Sequence, residues 1–173
     1  MMKLIIGNAI SFIFIFVAVY FSEISRFLPF IYRVFVLLLC WYFMLYFTHC
    51  LSHYIVGRIV GVEFSHYFFS KSMLSKAKIP VLSRVLSRKV FLTLKIKKRV
   101  SNRKMFLMFM AGPVASMFSP LLIATIAYRY DKLLGMFLFM LSAGNILFSG
   151  YYSYKFGCIR KAFRVLKGLD WRI

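Results

Sequence analysis

The chain has 173 residues, with 24 Lys and Arg against four Asp and Glu and a formal charge of +20. Hydrophobic residues make up 62% of it and fall in long blocks, which excludes an ordinary soluble domain and indicates an integral membrane protein. No recognisable nucleic-acid module accompanies the basic charge, so we expect the lipid bilayer as partner and no nucleic acid. The three cysteines show no paired spacing, and we expect no disulfide framework.

Four apolar runs predict four transmembrane helices, at about residues 4–21, 34–56, 105–128 and 133–154. The first run lacks a small-residue cleavage site and is expected to remain as an uncleaved span. Two stretches between the second and third spans, residues 62–68 and 89–97, partly alternate apolar and polar residues. This pattern favours a β-hairpin. The predicted fold class is an all-α polytopic membrane protein with four transmembrane helices and a small β-hairpin in a cytoplasmic loop.

The basic residues are distributed unevenly between the two sides of such a protein. Twenty of the 24 Lys and Arg lie on the side shared by Lys3, the 57–104 segment and the 155–173 tail. The other side holds only Arg26, Arg33, Arg129 and Lys132. Because cytoplasmic segments are enriched in Lys and Arg, we expect both termini and the long loop to be cytoplasmic.

Two histidines, His49 and His53, lie inside the second span near its cytoplasmic end. They are four residues apart, so on a helix they share one face. Two ionisable groups in a span indicate a site, and their spacing is that of the zinc-binding H-E-x-x-H motif. Cys50 stands where that motif has its glutamate. Packing residue, zinc ligand and nucleophile are all open interpretations of Cys50, and Cys40 is expected only to pack.

Small and polar residues in the later spans are candidates for supporting such a site. Gly112 and Pro113 predict a close helix approach or an irregular backbone in the third span, and Ser116 follows one turn later. Asn145 in the fourth span needs a hydrogen-bond partner. Most of these residues fall in the same half of the bilayer as the histidines, which favours one shared site.

At these motifs the chain resembles the site-2 protease family of intramembrane zinc metalloproteases, over about residues 45–168. Residues 49–53 are similar to the family's H-E-x-x-H, and residues 111–116 to its A-G-P-x-A-N, with Ser116 in place of asparagine. The late helix with Asn145 and a downstream glycine is similar to the family's last conserved helix. The resemblance implies a three-helix core at 34–154 whose hairpin loop is 57–104. An added helix and connection would be residues 1–33, and a basic cytoplasmic tail 155–173.

The resemblance also implies a zinc site held by His49, His53 and a third ligand, which is an aspartate in the family. Phe156, Ser153 and Cys158 compete for that position here, and Cys158 is preferred because a thiolate is a good zinc ligand. With Cys50 at the general-base position, we expect proteolysis to be weak or lost, as in a pseudoenzyme that binds a partner's transmembrane helix. An active protease that uses Cys50 is a second hypothesis. The alternative is a non-enzymatic membrane protein that docks partners or anionic lipid through its loop and tail.

Overall fold

A computed structural model describes residues 3–70, 91–98 and 100–169 of the chain. Within these ranges the chain is mostly helical, with one antiparallel pair of strands in a loop, so the predicted helical fold with a small β-hairpin is confirmed. In chain order the elements are α1 (Leu4–Ile24), a 3-10 turn (Ser25–Phe27), α2 (Phe30–Ile59), β1 (Glu63–Ser70), β2 (Phe91–Lys98), α3 (Asn102–Phe118), α4 (Pro120–Tyr130), α5 (Lys132–Phe156) and α6 (Cys158–Leu166).

Four helical stretches in the described residues are long and apolar enough to cross a membrane. They contain 24, 30, 29 and 25 residues and correspond to α1 with its turn, α2, α3 with α4, and α5. Each contains one predicted span, but the helices run beyond the apolar residues at their ends. Hydropathy marks where a helix is apolar, whereas its backbone hydrogen bonds continue into the flanking polar residues.

The third span contains two prolines and is divided into two helices at Ser119. Pro113 lies inside α3 without ending it, whereas Pro120 occupies the first turn of α4, where its missing N–H costs nothing. The Ser119 hydroxyl lies 2.9 Å from Thr48 Oγ1 and donates to the Met44 carbonyl of α2 at 3.2 Å. The break is therefore held against the helix that carries the histidines.

The β-hairpin follows α2 directly. Gly61, with φ of +89°, makes the turn from α2 into β1, a conformation that glycine adopts without strain. Tyr67 of β1 is fully buried and donates to Asn8 Oδ1 of α1 at 2.7 Å, which attaches the hairpin to the first helix. The strands start one and two residues later than predicted, and Lys89 and Val90 lie outside the described residues.

Two apolar clusters lie towards opposite ends of the helices. The first joins α1, α2, α4 and α5, and its buried members are Ala18, Leu37, Cys40, Met44, Ile123, Ala124, Ala127, Leu134 and Leu138. The second joins the hairpin, α3 and α6, and its members are Val62, Phe64, Met105, Met108, Phe109, Ala162 and Val165. The packing role expected for Cys40 is confirmed. Along α2, the two histidines fall between these clusters.

Candidate metal centre

Three metal-binding side chains come together where α2 meets the start of α6. His49 and His53 project from successive turns of α2, and Cys158 is the first residue of α6. One ligand atom from each lies within 4.8 Å of the other two, and the Cys158 sulfur is 3.8 Å from His49 Nε2. All three side chains are half-buried. Three residues were considered for the third ligand position. Of these, the structure places Cys158 beside the two histidines.

Both imidazoles are oriented by hydrogen bonds from their Nδ1 atoms to α3. His53 Nδ1 lies 2.6 Å from the Met108 carbonyl oxygen, which can only accept, so this nitrogen carries the proton. His49 Nδ1 lies 3.2 Å from Ser116 Oγ, whose own hydrogen is donated to the Pro113 carbonyl at 3.1 Å. His49 Nδ1 is therefore also the donor. This arrangement leaves both Nε2 atoms for a ligand, as in metal sites whose histidines are fixed through the other ring nitrogen.

Gly112 makes room for this arrangement. A Cβ atom at Gly112 would overlap the His53 ring, with the Nε2, Cδ2 and Cε1 atoms nearest to it. Both Gly112 and the following Pro113 are buried. Gly112, predicted with Pro113 to allow close approach, therefore lies against the histidine and leaves space for the imidazole at the Met108 carbonyl.

Asn145 connects the fourth span to the same part of α3. Its side-chain nitrogen donates to the Ser116 carbonyl at 3.2 Å, and its oxygen accepts from the Ser149 hydroxyl at 2.9 Å. Ser116 thus contacts His49 through its side chain and Asn145 through its backbone. All four residues predicted to support the site, Gly112, Pro113, Ser116 and Asn145, lie in or beside it.

The break between α5 and α6 places Cys158. Helix α5 ends at Phe156, Gly157 is extended, and α6 begins in a new direction. The Ser153 hydroxyl accepts from the Ile159 N–H at 3.2 Å, so this serine caps the start of α6 and is not a ligand in the described group. Phe156 offers no ligand atom.

The electrostatics of the group favour a thiolate at Cys158. Without a metal, the Nε2 atoms can carry protons too. Burial by itself raises the pKa of this thiol, but the positive charge of a His53 imidazolium and hydrogen bonds from both imidazoles lower the pKa well below its ordinary value. A bound metal ion would take the place of those Nε2 protons. Lys161 lies three residues further along α6, on the same face, and interacts electrostatically with His53. Lys161 was missed in the sequence, where the i, i+3 spacing from Cys158 was the available signal.

Cys50 lies beside this group without being part of it. Its sulfur interacts electrostatically with Cys158, but the three ligand atoms that cluster come from His49, His53 and Cys158. None of the three cysteines is in a disulfide. A thiol next to His49 on the helix points about 100° away from that residue, which keeps it out of the ligand set.

Comparison of the chain with protein-family models, with curated proteins and with solved structures found no match.

The His49, His53 and Cys158 side chains could hold a metal ion. Two imidazole nitrogens and one thiolate are ligands that zinc prefers, and three protein ligands leave one position open. Zinc bonds of about 2.0–2.3 Å in tetrahedral geometry place ligand atoms roughly 3.3–3.7 Å apart. The sulfur already lies 3.8 Å from His49 Nε2, and within the group no pair exceeds 4.8 Å. Holding the ion would thus require movements of about 1 Å.

Proposed function

We propose that this multi-pass membrane protein is a degenerate relative of the intramembrane zinc metalloproteases, with a metal centre at His49, His53 and Cys158 and little or no proteolytic activity. The observation that carries the proposal is the orientation of both imidazoles. Each is held through Nδ1 by α3, at Met108 or Ser116. His49 Nε2 lies 3.8 Å from the Cys158 sulfur, and a ligand atom of His53 lies within 4.8 Å of both. A packed polar cluster would not require the two rings to share this arrangement.

The weak or absent activity follows from Cys50. When bound, zinc supplies Lewis-acid polarisation of a carbonyl group. Peptide hydrolysis further requires a group that takes a proton from water and returns it to the leaving amine. Losing such a group costs a factor of about 10²–10⁴ in rate. With no carboxylate at position 50, the site binds and positions a chain more readily than it cleaves one, and the proposed partner is a transmembrane helix.

We further propose that the N-terminus, the 57–104 loop and the tail are cytoplasmic. The proposal rests on the unequal distribution of the 24 Lys and Arg between the two sides of the membrane. The side opposite the termini and the loop has only Arg26, Arg33, Arg129 and Lys132.

Metal analysis of the detergent-purified full chain tests the proposed centre. We expect close to one zinc per chain, lost in the His49→Ala, His53→Ala double variant and reduced at least tenfold in Cys158→Ala. Cys40→Ala is the matched control, because Cys40 is buried in the first apolar cluster, away from the histidines. It should retain its zinc.

Equal zinc in Cys158→Ala and in the unchanged chain would refute the assignment of the third ligand. Absence of metal from all samples, after purification in zinc-containing buffer, would refute the centre itself.

A Cys50→Glu variant tests whether the missing general base explains the weak or absent proteolysis. Cleavage of an added transmembrane peptide by this variant, and not by the unchanged chain, is the expected result.

A further inference from the structure

Helix α6 presents three different surfaces besides its first residue. Ala162 and Val165 are completely buried in the second apolar cluster, against α3. Arg160, Arg164 and Lys167 recur at intervals of four and three residues, so they share another face. Phe163 and Leu166 occupy the flank between these faces and are 42% and 48% exposed. An amphipathic basic helix with an exposed apolar flank is typical of a helix in the membrane interface.

The basic face of α6 borders a cavity of about 430 Å³. Its cationic lining consists of Lys155, Arg160, Arg164 and Lys167, and its apolar lining includes Tyr154 and Phe163. Arg160 Nη1 donates to the Lys155 carbonyl at 3.0 Å, which holds the guanidinium beside the end of α5. The lining thus brings together four cationic side chains, and none of its described residues is acidic.

The position of the cavity along α5 places it at the boundary of the bilayer. Helix α5 ends at Phe156, and its last two turns carry Tyr151 and Tyr154, which are 58% and 65% exposed. Tyrosines with outward-facing rings are enriched where hydrocarbon meets headgroups. A ligand in this cavity therefore has water on one side and acyl chains on the other.

We propose that this cavity binds the phosphate-bearing headgroup of an anionic phospholipid. The cations complement the phosphate, and the exposed Phe163 and Leu166 lie along the adjoining flank, where acyl chains would pack. A free phosphate ion matches the cations but leaves the apolar flank unused, so the surface fits a lipid. This assignment uses no metal ligand and stands independently of the proposed metal centre.

Titration of short-chain phospholipids into the full chain in a neutral detergent tests the site. The probes are dioctanoyl phosphatidylglycerol, dioctanoyl phosphatidylcholine and inorganic phosphate. We expect phosphatidylglycerol to bind at least tenfold more tightly than phosphatidylcholine. In an Arg160→Gln, Lys167→Gln variant, its binding should weaken about twenty-fold. Both side chains are exposed, so the variant should fold normally.

The matched control is Lys95→Gln, Lys97→Gln, which removes two exposed cations from β2, outside the cavity. It should keep its preference for phosphatidylglycerol, as should the charge-preserving Arg160→Lys, Lys167→Arg variant. Equal binding of the two lipids, or equal loss in both glutamine variants, would overturn the proposal. Displacement of phosphatidylglycerol by millimolar inorganic phosphate would overturn the choice of lipid over free phosphate.

Discussion

Gly112 of α3 faces the ring of His53 in the candidate centre and leaves no room for a side chain. We predict that Gly112→Ala displaces this imidazole, because the added methyl group would overlap it. Overpacking of this kind costs about 1–3 kcal/mol of folding stability. The expected result is a lower midpoint of thermal unfolding in detergent, together with at least a tenfold loss of bound zinc.

Gly144→Ala is the control for that substitution. Gly144 lies within α5 and has no atom within 4 Å of an added Cβ. Alanine also favours a helix over glycine, so stability should stay the same or rise by up to about 1 kcal/mol. An unchanged zinc content in Gly112→Ala would contradict the role assigned to this glycine.

Single residues differ in how far they could be predicted. The spacing of His49 and His53 predicts a shared face because helical periodicity is regular within one helix. The third ligand could not be chosen with the same certainty, since Gly157 interrupts the helix and the periodicity is lost across the interruption. The Met108 carbonyl carries no signal in the sequence, because every residue has a carbonyl group.

Among the elements, α6 is joined to α5 in the chain but packs most extensively on α3. Val165 is completely buried in that contact, so a charge there should separate α6 from α3. We predict that Val165→Asp loses more than nine-tenths of its zinc. Cys158 should at the same time become reactive towards maleimide in a Cys40→Ala, Cys50→Ala background.

Lys167→Asp provides the comparison, because Lys167 is exposed on the same helix. It should retain zinc and keep Cys158 protected. If Val165→Asp leaves both properties unchanged, docking of α6 does not position the thiol.

The elements were more predictable than the contacts between them. Apolar runs and alternation predict the four spans and the hairpin, because burial in lipid and pairing of strands impose regular patterns. The hairpin register is irregular between Glu63 and Tyr67, which no local pattern predicts. The docking of α6 depends on a surface of α3 that is distant in sequence, so no local pattern in the tail predicts it.

For the whole molecule, the charge asymmetry predicts the orientation in the membrane. We expect a cysteine at Lys132, the first residue of α5, to react with a membrane-impermeant maleimide in intact cells. A cysteine at Lys95 of β2 should react only after permeabilisation. Both positions are exposed, and the three native cysteines are replaced by alanine in each variant.

Labelling after permeabilisation is the internal control, since both variants should then react equally. The opposite pattern in intact cells, with Lys95→Cys labelled and Lys132→Cys protected, would reverse the orientation. Labelling of both in intact cells would contradict the four-span topology.

The separation of the three candidate ligands along the chain has a consequence for biogenesis. His49 and Cys158 are 109 residues apart, and the hairpin and α3 lie between them. At a synthesis rate of about 5–20 residues per second, the thiol follows the histidines by roughly 5–20 seconds. During that interval the nascent chain contains both imidazoles without the thiol. The candidate centre can therefore form only late in synthesis. A chain that stops before α6 would contain both histidines but lack Cys158, the third candidate ligand.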